Sequence, residues 1–315
     1  MDNKEISNET IGFAFPAFAK AYRGFKPEAF GDYFARREEY VKKAAKRVQI
    51  DPQRFERACN GIIEDDLHAH YSCYINSCVI SDILKGRRIR SDFVAPFSMG
   101  LYAALYHTCA VTFEDGLFFI HHQLTSALKM VDDAEYAMAS IVGFPSDQID
   151  SLILNNCTDV EVVDSVNELG HVVAGKKTEI DKLLIIAKQN GCLNARLLPV
   201  SLPYHSSFMQ KVKGEIKKTL AQIDIRSPEC PIISAVDQKV LVNADDVRGE
   251  MSKNIIQKVN WFKTMNKFLT LGITVFVECG ISGDLSKLVK FSPYGNHVKT
   301  YHPKTYTKLF QDFNF

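Results

Sequence analysis

The sequence predicts an α/β protein in which helices cover both faces of a mostly parallel sheet and a smaller unit is inserted into the main domain. Short apolar segments alternate with longer helical ones along most of the chain, which is typical of parallel sheets. Between residues 132 and 202 the order of elements changes, and afterwards the alternation returns. With 315 residues the chain is long enough for both parts. We therefore expect a main domain formed by residues 1–131 and 203–315, and a subdomain formed by residues 132–202.

The first part of the chain predicts one strand followed by helices. Residues 12–15 are apolar and are followed by Pro16, which predicts a short strand. The helices predicted after it are residues 17–61, with a new start at 51–52, then 68–84 and 116–131. Proline is favourable in a first helical turn, which places the new start at Pro52.

The inserted segment predicts two helices between four strands. The predicted strands are residues 137–142, 160–166, 171–174 and 195–201, and the predicted helices are residues 146–155 and 178–189. The resulting order, β-α-β-β-α-β, is that of a ferredoxin-like unit.

After residue 202 the main domain resumes. Ser206 is the predicted N-cap of a long amphipathic helix, whose apolar stripe is Phe208, Val212, Ile216, Leu220 and Ile223. The remaining predicted elements are strands 231–236 and 273–278 and helices 245–256, 261–271 and 284–289. The tail from residue 298 is aromatic and predicted to be extended. It either packs on the body of the protein or binds a partner.

Composition argues against several classes of partner and site. The formal net charge is +1, so nothing indicates affinity for nucleic acid or a membrane surface. The eight cysteines form no CxxC pair, which argues against zinc and favours reduced thiols. The sequence begins without the pattern of a signal peptide and holds no apolar run of membrane-spanning length. A cytoplasmic protein is expected.

Residues 93–100 predict a strand, a sharp turn and the start of a helix. Ser98 lies on the turn and Gly100 follows two residues later, which is the spacing of a nucleophile elbow in an α/β-hydrolase-like core. The free N–H groups at such a helix start suit an oxyanion. The alternative is a serine that only caps the helix, and Pro96 favours it because it replaces the first glycine of the motif.

Several further segments occur in a fixed order and resemble one known family. They are FPAFA at 15–19, PFSMG at 96–100, RLLPVSLPYHS at 196–206, PIIS at 231–234, QKVNW at 257–261 and FVECG at 276–280. With these segments the chain resembles the malonyl-CoA:acyl-carrier-protein transacylases, and more closely the discrete, trans-acting acyltransferases and acyl hydrolases of polyketide synthases. The resemblance covers nearly the whole chain.

The resemblance implies a ping-pong mechanism on a serine–histidine pair. His205 would take the proton of Ser98, which attacks a thioester carbonyl. The backbone N–H groups of Met99 and Phe18 would hold the oxyanion. The second ring nitrogen of His205 would bond a backbone carbonyl near Asn254 or Ile255 rather than a carboxylate. No cofactor is implied beyond the CoA or phosphopantetheine thioester that serves as substrate, and the implied partner is an acyl carrier protein. A monomer is expected.

The chain departs from the family pattern around the acyl pocket. The family's malonyl-selective arginine aligns with Gln123, or with His122 if the alignment is shifted. A glutamine cannot balance a buried carboxylate, so an uncharged acyl group is expected. Phe97 and Phe18 replace a histidine and a glutamine, and Tyr204 adds a ring beside the catalytic histidine.

Three hypotheses for the function follow. The first is hydrolysis of uncharged acyl groups from acyl carrier protein, as a proofreading step in polyketide biosynthesis. The second is transfer of a non-malonyl or malonyl acyl group from CoA to acyl carrier protein. The third is a catalytically degenerate scaffold or docking protein, which would need neither Ser98 nor His205.

Overall fold

The computed structural model describes residues 9–18, 31–56, 65–131 and 135–313. Its strands are β1 (Ile11–Phe15), β2 (Phe93–Pro96), β3 (Tyr136–Val142), β4 (Val160–Asn167), β5 (Gly170–Lys176), β6 (Asn194–Leu197), β7 (Ile232–Ile233), β8 (Val240–Leu241), β9 (Val275–Glu278) and β10 (Lys299–Tyr301). Its α-helices are α1 (Tyr33–Val48), α2 (Gln53–Glu56), α3 (Asp66–Gly86), α4 (Gly100–His107), α5 (Phe113–Met130), α6 (Ser146–Asn156), α7 (Lys177–Gln189), α8 (Lys213–Leu220), α9 (Ala244–Lys253), α10 (Trp261–Leu269), α11 (Asp284–Leu288) and α12 (Tyr306–Asp312).

The larger sheet has the strand order β10-β9-β1-β2-β7-β8. Its strands pair in parallel except β8, which is antiparallel to β7. On one face, Phe13 and Phe15 pack into the main core with residues of α3, α4 and α5. On the other face, Ala14 and Ala95 pack against α10. Because helices cover both faces, β1 and β2 are buried beyond their first residue, as the unbroken apolar segments predict.

The smaller sheet is antiparallel and has the order β4-β5-β3-β6. One face, which includes Ile141 and Val173, packs on α6 and α7 through Ile149 and Ile180. Alternate residues of the same strands point the other way, because side chains alternate along a strand. The predicted α/β fold with a parallel sheet and an inserted ferredoxin-like unit is confirmed. The domain boundaries stay predictions, and residues 132–134 lie outside the described residues.

Hydrogen bonds join β4 of the smaller sheet to the segment that leads into α10. Val259 donates its backbone N–H to the carbonyl of Val163 over 3.0 Å, and Trp261 donates its N–H to Asp164 Oδ1 over 2.8 Å. Asp164 is 3% exposed, and burial raises the pKa of its carboxyl to about 7.

We expect Asp164 to make the protein less stable at neutral pH than at mildly acidic pH. Its pKa is raised above the usual value near 3.8, so its stabilising contribution is complete below about pH 4 and is lost as the pH rises through about 7. Urea unfolding between pH 4 and 8 should show this fall in the free energy of unfolding, and Asp164→Asn should flatten it. An unchanged pH dependence in that variant would contradict the assignment.

The structure corrects some predicted elements. Predicted helix 206–223 is a 3-10 segment, Ser207–Val212, followed by α8, so Ile223 lies beyond the helix. In a 3-10 turn residues three apart share a face, so Met209 is buried with Val212 and Phe208 is only half-buried.

The first helical region and the tail also differ from the prediction. The region 17–61 is divided into α1 and α2, because Gln49 adopts a left-handed conformation that ends α1. Residues 19–30 and 57–61 of this region lie outside the described residues. The tail contains α12 as well as a short strand, and Tyr306 and Phe310 are buried. Of the two alternatives for the tail, packing on the body is confirmed.

Candidate active site

The turn between β2 and α4 places Ser98 at the edge of the main sheet. Ser98 is half-buried and has a left-handed backbone conformation with φ 55°. A side chain at Gly100 would bring a Cβ within 2.1 Å of the carbonyl oxygen of Phe15, so only glycine lets α4 begin this close to β1. Left-handed non-glycine residues are uncommon and cluster at functional sites. The turn therefore has the geometry of a nucleophile elbow.

His205 meets Ser98 from the opposite side of the cleft. Its Nε2 lies 2.7 Å from Ser98 Oγ, and its Nδ1 donates to the backbone carbonyl of Asn254 over 2.6 Å. The backbone N–H of His205 donates to the carbonyl of Ile255 over 2.8 Å, and its φ is 64°. With its proton on Nδ1, the ring presents an unprotonated Nε2 to the serine hydroxyl. This arrangement can remove the hydroxyl proton without an orienting carboxylate.

Burial keeps this imidazole uncharged. His205 is 6% exposed, and burial lowers its pKa to about 4, against the opposing effect of the bond to the Asn254 carbonyl.

We expect the acid limb of a kcat/KM profile to fall near pH 4 rather than near 6.5, because only neutral His205 accepts the serine proton. Stopped assays from about pH 3.5 to 8, with circular dichroism to verify folding, measure this. A limb near the ordinary histidine value would contradict the assigned environment.

Backbone donors are available beside the serine. The N–H groups of Gly100, Leu101 and Tyr102 bond the carbonyls of Phe97, Ser98 and Met99, whereas the N–H of Met99 precedes these bonds at the N-cap of α4. Phe18 follows β1 and lines the same space, and its ring lies 3.9 Å from that of His70. The structure thus places both predicted oxyanion residues beside Ser98, and their role stays a prediction.

Two spaces adjoin the serine and histidine. The larger is a cleft of about 540 Å³ between the two sheets, bounded in part by Phe97, Tyr204 and Arg196. The smaller is a pocket of about 20 Å³ that Gln123 and Asn254 line together with Ser98 and His205. The structure therefore brings all the predicted site residues to one place.

The smaller pocket is uncharged. Gln123 is 2% exposed, and its Oε1 accepts a 2.6 Å hydrogen bond from the hydroxyl of Tyr102. Among the described residues that line this pocket there is no lysine or arginine. Arg196 lies on β6 in the larger cleft and is exposed.

The aromatic substitutions have separate roles in packing. The ring of Phe97 packs against Trp261 at 5.1 Å. Tyr204 is buried and donates its hydroxyl to Asp66 Oδ2, which also accepts the N–H of Ser201. Asp66 thereby fixes the segment that leads into His205.

Sequence reasoning missed Tyr102, His70 and Asp66. Tyr102 carried a usable signal, because it lies in the first turn of the helix that follows Ser98. His70 and Asp66 lie on α3, far from the motifs in sequence, and nothing in the local pattern of that helix distinguishes them.

Comparisons with known proteins agree with this geometry, although no protein-family model matches the chain. The malonyl CoA-acyl carrier protein transacylase of Bacillus subtilis is 26% identical over 302 residues, which is 89% of each chain. The malonyl CoA-acyl carrier protein transacylase structure from Coxiella burnetii superposes with a TM-score of 0.86 at 24% identity, covering 96% of both chains. The predicted resemblance to this transacylase family is confirmed.

Two further relatives concern polyketide proteins. The polyketide biosynthesis protein ThaF of Burkholderia thailandensis is 29% identical over 201 residues, which is 63% of this chain but 17% of that protein. A malonyl-transacylase in complex with a type II polyketide synthase acyl-carrier protein has a TM-score of 0.86 at 20% identity, covering 97% of this chain and 100% of that one. The prediction of an acyltransferase-family enzyme is confirmed. No helix of the described residues has the length and apolar character needed to cross a membrane.

Proposed function

We propose that this chain forms an acyl-enzyme on Ser98 from acyl thioesters of an acyl carrier protein and releases uncharged acyl groups by hydrolysis. The observation that carries the choice of acyl group is Gln123, an uncharged and buried side chain in the pocket beside the serine. A carboxylate placed there would lose its hydration without gaining a cation as a partner. Burying an unpaired charge in this way costs on the order of several kcal/mol. An uncharged acyl group avoids this cost.

The proposed steps use only this chain, the thioester and water. His205 Nε2 takes the hydroxyl proton as Ser98 Oγ attacks the carbonyl carbon, and the N–H groups of Met99 and Phe18 stabilise the oxyanion. The intermediate collapses with cleavage of the C–S bond, and His205 returns the proton to the departing thiolate. A water then attacks the ester carbon, giving its proton to His205. Cleavage of the C–Oγ bond releases the acid, and the proton returns to Ser98.

The carrier protein as the source of the thioester rests on the relatives. The names of the Bacillus transacylase and of the polyketide complex both include an acyl carrier protein. The cleft of about 540 Å³ leads from bulk solvent to Ser98 and suits a flexible thioester arm. A scaffold without chemistry is the less favoured proposal, because the 2.7 Å contact between Ser98 and a neutral His205 serves no structural need that we identify.

Malonyl transfer from CoA to a carrier protein is the second candidate, and the names of the relatives favour it. One experiment separates the two. The purified chain is incubated with acetyl-, butyryl- and malonyl-carrier protein, and with malonyl-CoA plus holo-carrier protein, while intact-protein mass spectrometry follows every species. Hydrolysis predicts free acid, holo-carrier protein and a short-lived adduct on Ser98. Malonyl transfer that is faster than release of acetyl or butyryl groups would overturn the leading proposal.

A gain of function tests the role of Gln123 directly. In Gln123→Arg, a guanidinium would face the acyl pocket and pair with a carboxylate. We expect the ratio of malonyl to butyryl turnover to rise by about 100-fold, corresponding to a charge-assisted pair of about 3 kcal/mol. The matched control is Gln148→Arg on α6, which lies outside the pocket and should leave the ratio unchanged. An unchanged ratio in Gln123→Arg, with folding intact, would contradict the argument.

A further inference from the structure

Two buried amide groups face the small pocket without hydrogen-bond partners. Gln123 and Asn254 are each 2% exposed, and both line the space of about 20 Å³ beside Ser98 and His205. Gln123 Nε2 and Asn254 Nδ2 have no hydrogen-bond partner in the part of the chain that the structure describes. A buried donor left unpaired destabilises the folded protein, and such groups are rare in native proteins. Two of them on one pocket beside the candidate nucleophile point to a ligand.

Each donor belongs to a residue that another hydrogen bond holds in place. The hydroxyl of Tyr102 donates to Gln123 Oε1 over 2.6 Å, which occupies the amide oxygen and leaves the amide nitrogen for the pocket. Asn254 is the C-cap of α9, and its backbone carbonyl accepts the Nδ1–H of His205. The same residue that orients the imidazole therefore also holds a donor at the pocket. The Gln123 donor cannot turn away from the pocket without breaking the bond from Tyr102, and the bond from His205 holds the backbone of Asn254 in place.

The chemistry of the pocket selects a neutral acceptor. Two N–H donors complement the two lone pairs of a carbonyl oxygen. A carboxylate also accepts hydrogen bonds, but its charge would remain uncompensated, and an alkyl group would leave both donors unpaired. A single water fits the pocket, since one water needs a cavity of about 10–15 Å³. A water that accepts from both amides has its lone pairs occupied, however, and is a poor nucleophile.

We propose that Gln123 Nε2 and Asn254 Nδ2 together bind the 3-oxo oxygen of a short 3-oxoacyl group attached to Ser98. This inference rests on the proposed acyl-enzyme and names the acyl class that the same site prefers. The pocket adjoins the serine, so an acceptor bound there belongs close to the carbonyl carbon that Ser98 attacks. With room for about one water, the pocket can take the 3-oxo oxygen of a group such as acetoacetyl but no part of a long acyl chain.

Three acyl groups of nearly equal size test the inference. Acetoacetyl carries a neutral acceptor at carbon 3, butyryl carries none, and malonyl carries a charged carboxylate. Each is loaded on the same carrier protein, and kcat/KM for acyl release is measured for the full chain. We expect acetoacetyl to be preferred over butyryl by at least about tenfold, because only acetoacetyl can accept the two hydrogen bonds from the amides. Malonyl is expected to be the poorest of the three.

Two variants then assign the preference to the amide nitrogens. Gln123→Leu removes the donors, and Gln123→Glu keeps the shape and the bond from Tyr102 while it removes the N–H groups. Both are expected to lower the acetoacetyl-to-butyryl ratio by at least about fivefold, and Asn254→Leu is expected to act in the same direction. Gln148→Leu, an exposed glutamine on α6, should keep the ratio of the unmodified chain. Circular dichroism establishes that each variant is folded, and Gln123→Glu decides the result if Gln123→Leu does not fold.

The outcomes separate this inference from the proposed function. Equal or faster release of butyryl, with a Ser98 adduct formed from both groups, overturns the 3-oxo site and leaves the acyl-enzyme standing. A preference for acetoacetyl that persists in Gln123→Glu and Asn254→Leu also overturns it. If no acyl group forms an adduct with the chain, both proposals are wrong.

Discussion

Ser98→Ala should reduce acyl release by at least about 10³-fold, because loss of the nucleophile removes the covalent route altogether. The mass of the acyl adduct should also disappear. Among the described residues of the cleft, Ser98 is the only one whose hydroxyl lies within hydrogen-bond distance of His205, at 2.7 Å. The substitution removes one oxygen from a half-buried position, so little effect on folding is expected. Intact-protein mass spectrometry and steady-state release of acetyl or acetoacetyl groups measure both effects.

The control for this experiment is Ser151→Ala on α6. Ser151 bonds the carbonyl of Asp147 within its own helix and lies outside the cleft. Its removal should leave the adduct and the rate unchanged. Undiminished thioester turnover in Ser98→Ala would refute the acyl-enzyme and would favour the scaffold hypothesis or a nucleophile elsewhere in the chain.

The fold could be predicted from the sequence where one local pattern decides an element. Helix α5 covers most of the predicted helix 116–131 and begins at Phe113, after its cap Thr112, and the antiparallel unit follows the predicted order of strands and helices. The prediction failed where tertiary contacts decide. The segment after Ser206 has helical periodicity, yet it starts as a 3-10 turn after the left-handed His205, and the register of its buried face changes to Met209. The periodicity of apolar residues does not reveal the left-handed conformation of His205.

In the candidate site, too, residue identities could be predicted from the sequence, whereas contacts between distant residues could not. The residues Ser98 and His205 could be named from short segments, since the spacing of an elbow and a resemblance both carry residue identity. The 2.7 Å contact between these two side chains could not be predicted from the sequence, because it depends on how α9 and the smaller sheet position the loop around His205. Gln123 was recognisable as a missing charge, whereas its orientation depends on the hydroxyl of Tyr102. The two unpaired amides could be recognised only from the structure, which gives the burial of each side chain and its hydrogen-bond partners.

Gly100→Ala should both destabilise the protein and inactivate it. The new Cβ would lie 2.1 Å from the carbonyl oxygen of Phe15 and 2.8 Å from that of Pro16, and both are backbone atoms that cannot rotate away. Phe15 also accepts the N–H of Phe97, so moving β1 away would break that bond and displace Ser98 relative to Phe18. We expect the free energy of unfolding to fall by about 3 kcal/mol or more and kcat/KM to fall by about 100-fold or more.

Gly214→Ala supplies the matched comparison, because it makes the same chemical change in another helix. Nothing lies within 4 Å of a Cβ at Gly214 in α8, so the added methyl meets open space. Alanine is favoured over glycine in helices, and this variant should be as stable as the unmodified chain or more stable by about 0.5 kcal/mol. Urea unfolding and acyl release measured on both variants separate contact with β1 from helix propensity. If Gly100→Ala behaves like Gly214→Ala, the close approach of α4 to β1 does not position Ser98, and the elbow geometry is wrong.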